Sequence, residues 1–304
     1  MRVGLFITEP KGPDALGKLR DRIARGADDG FSSAWISNIF GLDALTALAV
    51  TGSQVPGIEL GTAVVPSYPR HPAALAQQAL TVNAALDGRL ALGIGLSHRI
   101  VIEDMYGYGF ERPARHMREY LSVLLPLVRG ERADFDGETL RAHVQLSTPG
   151  TGDMPVLIAA LAPRMLKLAG EKADGTVLWM TGPKTVAGHV APAVTEAARA
   201  AGRPAPRIVC ALPVCVTDDA DAARARAGEV FAGYGDLPSY RAMLDREGAA
   251  GPADVAITGN EDEVAAQLTA LAEAGVTDFV AAEYVRDDDR TRRFLKTLLS
   301  TTQG

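Results

Sequence analysis

Eight short apolar runs, set along the whole chain and separated by longer stretches of helical period, constrain this sequence more than any other feature. They are Val3 to Ile7, Ala34 to Ser37, Ile58 to Val64, Leu90 to Gly95, Val156 to Ala160, Thr176 to Trp179, Ile208 to Val216 and Phe279 to Tyr284. Each is continuously apolar instead of alternating. That is the pattern of strands buried on both faces, as in parallel sheets wrapped by helices. Between the runs, Leu16, Leu19, Ile23 and Ala27 recur at three and four, as do Leu75, Ala79, Val82 and Leu86, and Val264, Leu268 and Leu271. Each set is one apolar stripe on a helix. Asp43, Pro163 and Asp262 stand at or near helix starts. Three helix-to-strand joints, within 27–37, 171–180 and 271–282, repeat a glycine where a left-handed cap would turn the chain into the strand. The repetition predicts an α/β fold, a (β/α)8 TIM barrel, as a single domain over 1–304. A doubly wound open sheet shares this periodicity, which does not by itself show closure.

Two segments break the rhythm and read as insertions after strands 4 and 7, at 97–150 and 218–262. The first holds a helix and then an expected hairpin around Asp136-Gly137. Long insertions on barrels either cover the active face or decorate the surface, and sequence weighs the two equally.

The formal net charge of -6 and the scattered Lys and Arg residues argue against nucleic-acid binding, which draws most of its affinity from phosphate contacts. Cys210 and Cys215 sit in one apolar strand and are expected to be buried, reduced thiols. The N-terminus does not have the layout of a signal peptide, and no apolar run reaches membrane-spanning length, so a cytoplasmic protein is expected. The five histidines are scattered, with no metal-ligand spacing, and no metal is expected. Neither a nucleophile elbow nor a P-loop occurs.

Barrel chemistry belongs at the C-terminal ends of strands. That rule selects Ser37, Asn38, Ile39 and Phe40; Val64, Val65 and Pro66; Ser97 and His98; Ala160, Leu161, Ala162 and Pro163; Trp179, Met180 and Thr181; and Glu283 and Tyr284. Gly93 and Gly95 lead into one strand-to-helix turn, and Ala159 to Leu166 form a second. Such turns either present backbone N–H groups to a phosphate or simply pack helix against strand. A mouth poor in acids and bases but rich in apolar and aromatic residues suits an enzyme whose cofactor carries the chemistry.

These residues resemble the bacterial-luciferase-like flavin monooxygenase superfamily, and within it the coenzyme F420-dependent oxidoreductases. The pieces that carry the resemblance are SAWISNIFGLDALTALA (33–49), LGTAVVPSYPRHPAALAQQALTVNAALDGRLALGIGLSH (60–98) and PVLIAALAPRMLKLAGEKADGTVLWMTGP (155–183). The resemblance implies a barrel, often homodimeric, with a non-proline cis peptide at Ala63–Val64 backing the cofactor ring. It also implies phosphate-binding turns at Gly95, Ser97 and His98 and at Ala160, Leu161 and Ala162. Two positions depart from the family pattern. Ile39 stands where several members place a histidine base, and His98 where some carry an acid. The implied activity is hydride transfer from reduced F420 to a small unsaturated or imine-like substrate. Asn38, His98 and Glu283 would act at the reacting centre, with Phe40, Trp179 and Met180 lining the substrate side. The alternatives are an FMN-dependent monooxygenase and a non-catalytic partner subunit.

Overall fold

The computed structural model describes residues 1–148, 153–285 and 289–302. The strands are β1 (Arg2–Phe6), β2 (Ser33–Ile36), β3 (Glu59–Thr62), β4 (Leu90–Gly95), β5 (Val156–Ala159), β6 (Gly175–Trp179), β7 (Arg207–Val216) and β8 (Asp278–Glu283). Each pairs in parallel with the next, and β8 returns to β1 with Phe279 opposite Val3. The ring is therefore closed, and the fold is a (β/α)8 barrel rather than an open sheet. Around it run α1 (Ala15–Asp28), α2 (Ala44–Gly52), α3 (Pro72–Ala85), α4 (Pro113–Val128), α5 (Pro163–Lys172), α6 (Ala191–Ala200), α7 (Ala220–Phe231), α8 (Pro238–Glu247), α9 (Glu261–Glu273) and α10 (Asp289–Thr302).

The apolar runs are continuous because each strand buries two faces. Outward residues such as Leu60, Leu92 and Ile158 meet helix residues such as Leu45, Leu75 and Leu124 in the larger core. Inward residues Trp35, Ala91, Leu157, Val177, Val209, Ala211 and Val280 fill the barrel. The end where the strands begin is closed by charge. Arg207 bonds Glu59 at 2.8 Å and Asp278 at 2.7 Å, and Arg2 approaches both acids at 3.3 Å.

The helix starts follow the side chains that cap them. Asp43 accepts from the Thr46 N–H at 2.9 Å, and Pro163 opens α5. The cap of α9 is Asn260, in a reciprocal box with Glu263, and Asp262 lies in the first turn. Gly30 takes the expected left-handed φ of 87°. Gly175 differs, since a Cβ there would come within 2.0 Å of the Arg207 carbonyl, so the close approach of β7 excludes a side chain.

Both insertions are structured. Strands Ala133–Asp136 and Arg141–Val144 form the expected antiparallel hairpin. The buried Glu119 of α4 holds its turn by accepting from the N–H groups of Glu138, Thr139 and Leu140 and from the Thr139 hydroxyl, at 2.6 to 3.1 Å. Residues 149 and 150, the end of that insertion, lie outside the described residues. The second insertion forms α7 and α8, then a short strand, Ile257–Gly259, that extends the sheet beside β7. Cys210 and Cys215 are buried and unbridged.

Candidate active site

The strands end at a cavity of about 2040 Å³. Its floor is set by the packing of the barrel interior. Phe6 of β1, Ala63 and Val64 after β3, and Trp179 of β6 lie partly buried on the inward cluster around Trp35, and all four line the cavity. The Ala63–Val64 peptide is cis. Phe6 and Trp179 stack, with ring centroids 5.5 Å apart and planes at 22°. The result is a flat apolar platform at the barrel mouth.

Beside the platform the turns after β4 and β5 lie side by side, since Ile94 of β4 pairs with Ile158 of β5. Ser97 and His98 from the first turn, Ala159 at the end of β5 and Leu161 from the second turn line the cavity together. Ser97 has φ of 62°, a left-handed conformation of the kind used in anion-binding backbone turns. His189 fixes the second turn through its Nε2, 2.8 Å from the Leu161 carbonyl oxygen.

The second insertion builds an aromatic wall over the platform. Phe231 ends α7, Tyr234 follows it and Tyr240 lies in α8. Phe231 and Tyr234 each meet Trp179 edge-on at 5.6 Å. Tyr240 packs on Tyr234 at 5.4 Å and on His98 at 5.6 Å. Tyr284 of the β8 turn meets Phe231 at 5.8 Å. The carboxylate of Glu247 at the end of α8 accepts from the Lys184 and Thr185 N–H groups at 3.1 and 2.8 Å, tying α8 to the turn after β6.

Burial lowers the His98 pKa, so its imidazole is neutral near pH 7. Burial raises both Tyr234 and Tyr240, which keeps their hydroxyls protonated. The cavity rim carries basic side chains, Lys11, Arg22, Arg25 and Arg293 among them, in a chain whose net charge is negative. Such a rim favours an anionic ligand. Among the described residues no cluster of three or more His, Cys, Asp or Glu side chains is placed to hold a metal ion. No helix among them is long and apolar enough to cross a membrane.

Residues 1–278 match the family model described as luciferase-like monooxygenase. The chain belongs to the luciferase-like monooxygenase family. The 5,10-methylenetetrahydromethanopterin reductase of Methanolobus tindarius is 27% identical to it over 281 residues, which is 83% of this chain and 86% of the relative. The reductase of the same name from Archaeoglobus fulgidus is 28% identical over 299 residues, covering 86% and 88%. The solved coenzyme F420 dependent tetrahydromethanopterin reductase from Methanopyrus kandleri has a TM-score of 0.82 and 22% identity, with 97% of both chains covered. At that identity the likeness is one of fold.

This luciferase-like chain brings most of the sequence-selected residues together. Asn38, Phe40, Ala63, Val64, Ser97, His98, Leu161, Trp179 and Glu283 all line the cavity. Several are more constrained than sequence suggested. The Asn38 Oδ1 accepts from the Ala44 N–H at 2.9 Å, leaving its amide N–H groups as donors. Phe40 is 61% exposed and sits on the rim, 6.4 Å from Tyr106. Glu283 pairs with Arg292 at 2.6 Å. Met180 is a correction. It is fully buried in the outer core rather than lining the substrate side, because a left-handed turn (φ 52°) carries it away from Trp179. Gly95 and Ala160 are also buried beneath the cavity surface, and Ala162 stands outside the lining as the residue before α5. The aromatic wall and His189 were not among the sequence candidates.

Proposed function

We propose that this chain is a one-domain, coenzyme F420-dependent oxidoreductase, with the deazaflavin ring on the Ala63–Val64 platform and the anionic tail at the turns after β4 and β5. The observation that carries the reading is the adjacency of a flat apolar platform to two strand-end turns on one cavity. The residues fit such a group sterically. A Cβ on Gly95 would come within 2.5 Å of Val64 Cγ2, so only glycine leaves the Val64 seat in place. The reductases from Methanolobus and Archaeoglobus lend support through similarity across most of both chains.

When bound, the reduced coenzyme supplies hydride from C5 of its ring to an unsaturated or imine-like acceptor. The protein's own part is placement. The Asn38 amide N–H groups donate to ring or substrate. Neutral His98 has one N–H to give, which suits an anionic tail better than proton delivery near pH 7. Glu283, paired with Arg292, fixes the wall at the end of β8. A cytoplasmic homodimer remains part of the proposal on the strength of family resemblance.

Titrating the purified protein separately with F420 and FMN tests this reading. F420 binding, followed by oxidation of reduced F420 when a cyclic imine is added, supports it. FMN binding with oxygen uptake would transfer the assignment to a monooxygenase, and binding of neither would favour a non-catalytic subunit.

A further inference from the structure

Charge in this cavity is confined to one side. Seven basic side chains and four carboxylates line it, all on the turn after β1, on α1 and its cap, on α7, at the end of β8 or on α10. From Ser37 round to Ala211 the described lining carries no Asp, Glu, Lys or Arg. In the closed ring β8 and β1 lie across from β4 and β5, so this lobe is on the far side of the mouth from the turns assigned to the anionic tail. Three of its carboxylates are engaged within the protein. Glu9 accepts from the Leu42 N–H, Glu283 holds Arg292 at 2.6 Å, and Asp29 holds Lys296 at 2.7 Å. Arg226 pairs with Glu229 at 2.9 Å. Lys11, Arg22, Arg25 and Arg293 remain, and none of the four pairs with a carboxylate among the described residues. Among those residues only Asp289 is left in the lobe to offset them. The Arg22 Nη1 donates to the Thr8 carbonyl at 2.8 Å, which holds the guanidinium at the lip. Thr8 is two residues beyond Phe6 of the platform, about 7 Å along an extended chain. Arg25 follows one turn later on the same side of α1. Cations from three separate segments thus converge on one lobe of an acidic chain, which favours an anion there. The cavity, about 2040 Å³, exceeds the roughly 300–1,000 Å³ of an ordinary small-molecule site, so a second ligand fits beside a cofactor.

We propose that the acceptor reduced here carries a carboxylate on a short arm from its reactive double bond. Arg22 and Arg25 bind that carboxylate, and Lys11 and Arg293 add to the attraction. This rests on the hydride-transfer reading above. A coenzyme tail held at the turns after β4 and β5 leaves the charged lobe to the acceptor. For a cyclic imine the balance is simple. Hydride forms a C–H bond at the imine carbon and the C=N π pair moves to nitrogen. Nitrogen takes a proton from water, and the reduced deazaflavin is oxidised by two electrons. The carboxylate is unchanged, and the arginines only place it.

The test uses 4-(1-pyrrolin-2-yl)butanoate and the corresponding butanamide, which has nearly the same shape and no charge. Calorimetry measures their binding with and without F420, and turnover is followed where F420 binds. The acid is expected to bind roughly tenfold more tightly than the amide at low salt, with the preference shrinking at high salt. Arg25 makes no side-chain bond among the described residues, so Arg25→Gln disturbs little else and should reduce the preference severalfold. Arg25→Lys should keep most of it. Arg22→Gln/Arg25→Gln should erase it while amide binding stays within about twofold. In that double variant the affinities for F420 and for its ring fragment without the acidic tail, both read by fluorescence, should also stay within about twofold. Equal or absent binding of acid and amide in the unaltered protein, or a preference that survives in the folded double variant, overturns the proposal. So does a loss of F420 affinity in the double variant with binding of the ring fragment unchanged, which would give the lobe to the coenzyme's tail. If the double variant does not fold, Arg25→Gln alone carries the comparison. Failure of F420 to bind the unaltered protein would sink the hydride-transfer reading, whereas the acid and amide compared without F420 still decide the charged lobe.

Discussion

Val64 and Gly95 compete for one volume: a Cβ added at Gly95 would stand 2.5 Å from Val64 Cγ2 and 3.2 Å from Ala159 Cβ. Gly95→Ala is therefore expected to push Val64 up into the cavity. Overpacking of this kind costs roughly 1–3 kcal/mol. If the platform seats the cofactor, F420 affinity should fall by about tenfold or more while circular dichroism still shows a folded barrel. Fluorescence titration of the variant measures this, and unchanged affinity would separate the platform from cofactor binding.

His98 offers a pH signature. Its pKa lies below the ordinary 6.5 because burial disfavours the imidazolium, so it is neutral at pH 7 and charges only in more acid solution. If it faces the anionic tail, F420 affinity should strengthen once the solution is acid enough to charge the ring. His98→Asn should flatten that dependence and leave kcat at saturating cofactor nearly unchanged. A large loss of kcat instead would make His98 a proton donor.

His116 should shape acid stability. Its ring stacks on Tyr68 at 3.9 Å with planes at 8°, and its Nε2 is 3.1 Å from the buried Ser67 Oγ. Burial is the main cause of a pKa lowered to about 4, against an opposing pull from Glu119. The unfolded chain takes up this proton below pH 6.5 while the folded one resists until about 4. Stability from this site is thus complete above 6.5, declines between 6.5 and 4, and loses up to roughly 3 kcal/mol. Urea unfolding of the wild type and His116→Gln across that window checks the slope, which should be shallower in the variant.

At the far end of the barrel Arg207 holds Asp278, which is only 2% exposed, together with Glu59. Removing it leaves the buried Asp278 carboxylate with the more exposed Arg2 and the Thr277 hydroxyl as its remaining partners. Arg207→Met is expected to cost roughly 3–5 kcal/mol. The readout is a melting temperature lowered by several degrees, with F420 affinity at low temperature unaltered.

The barrel was legible because a strand buried on both faces must be apolar throughout, and eight such runs with repeated joints leave few architectures. Strand ends converge in any closed barrel, which made several cavity residues legible, but it was the family resemblance that singled out those after β3, β4 and β5. Phe231, Tyr234 and Tyr240 were not legible, because aromatic residues in an alanine-rich helical stretch have the local pattern of ordinary packing, and only the closed barrel sets them above Trp179. His189 reaches Leu161 from 28 positions along the chain, a relation without any local trace. Met180 misled because adjacency to a strand end says nothing of the backbone twist that turns the side chain away.

Ala63, Val64 and the two turns come from the stretch that spans the third to fifth strands, whereas Phe231, Tyr234 and Tyr240 belong to one excursion after the seventh, tied to the turn after β6 by the carboxylate of Glu247. If the first stretch seats the cofactor and the second meets the substrate, chemistry and selectivity are encoded in different stretches of the gene. Grafting that excursion from another barrel of this kind, tie included, would reassign what the enzyme accepts while leaving its redox engine in place.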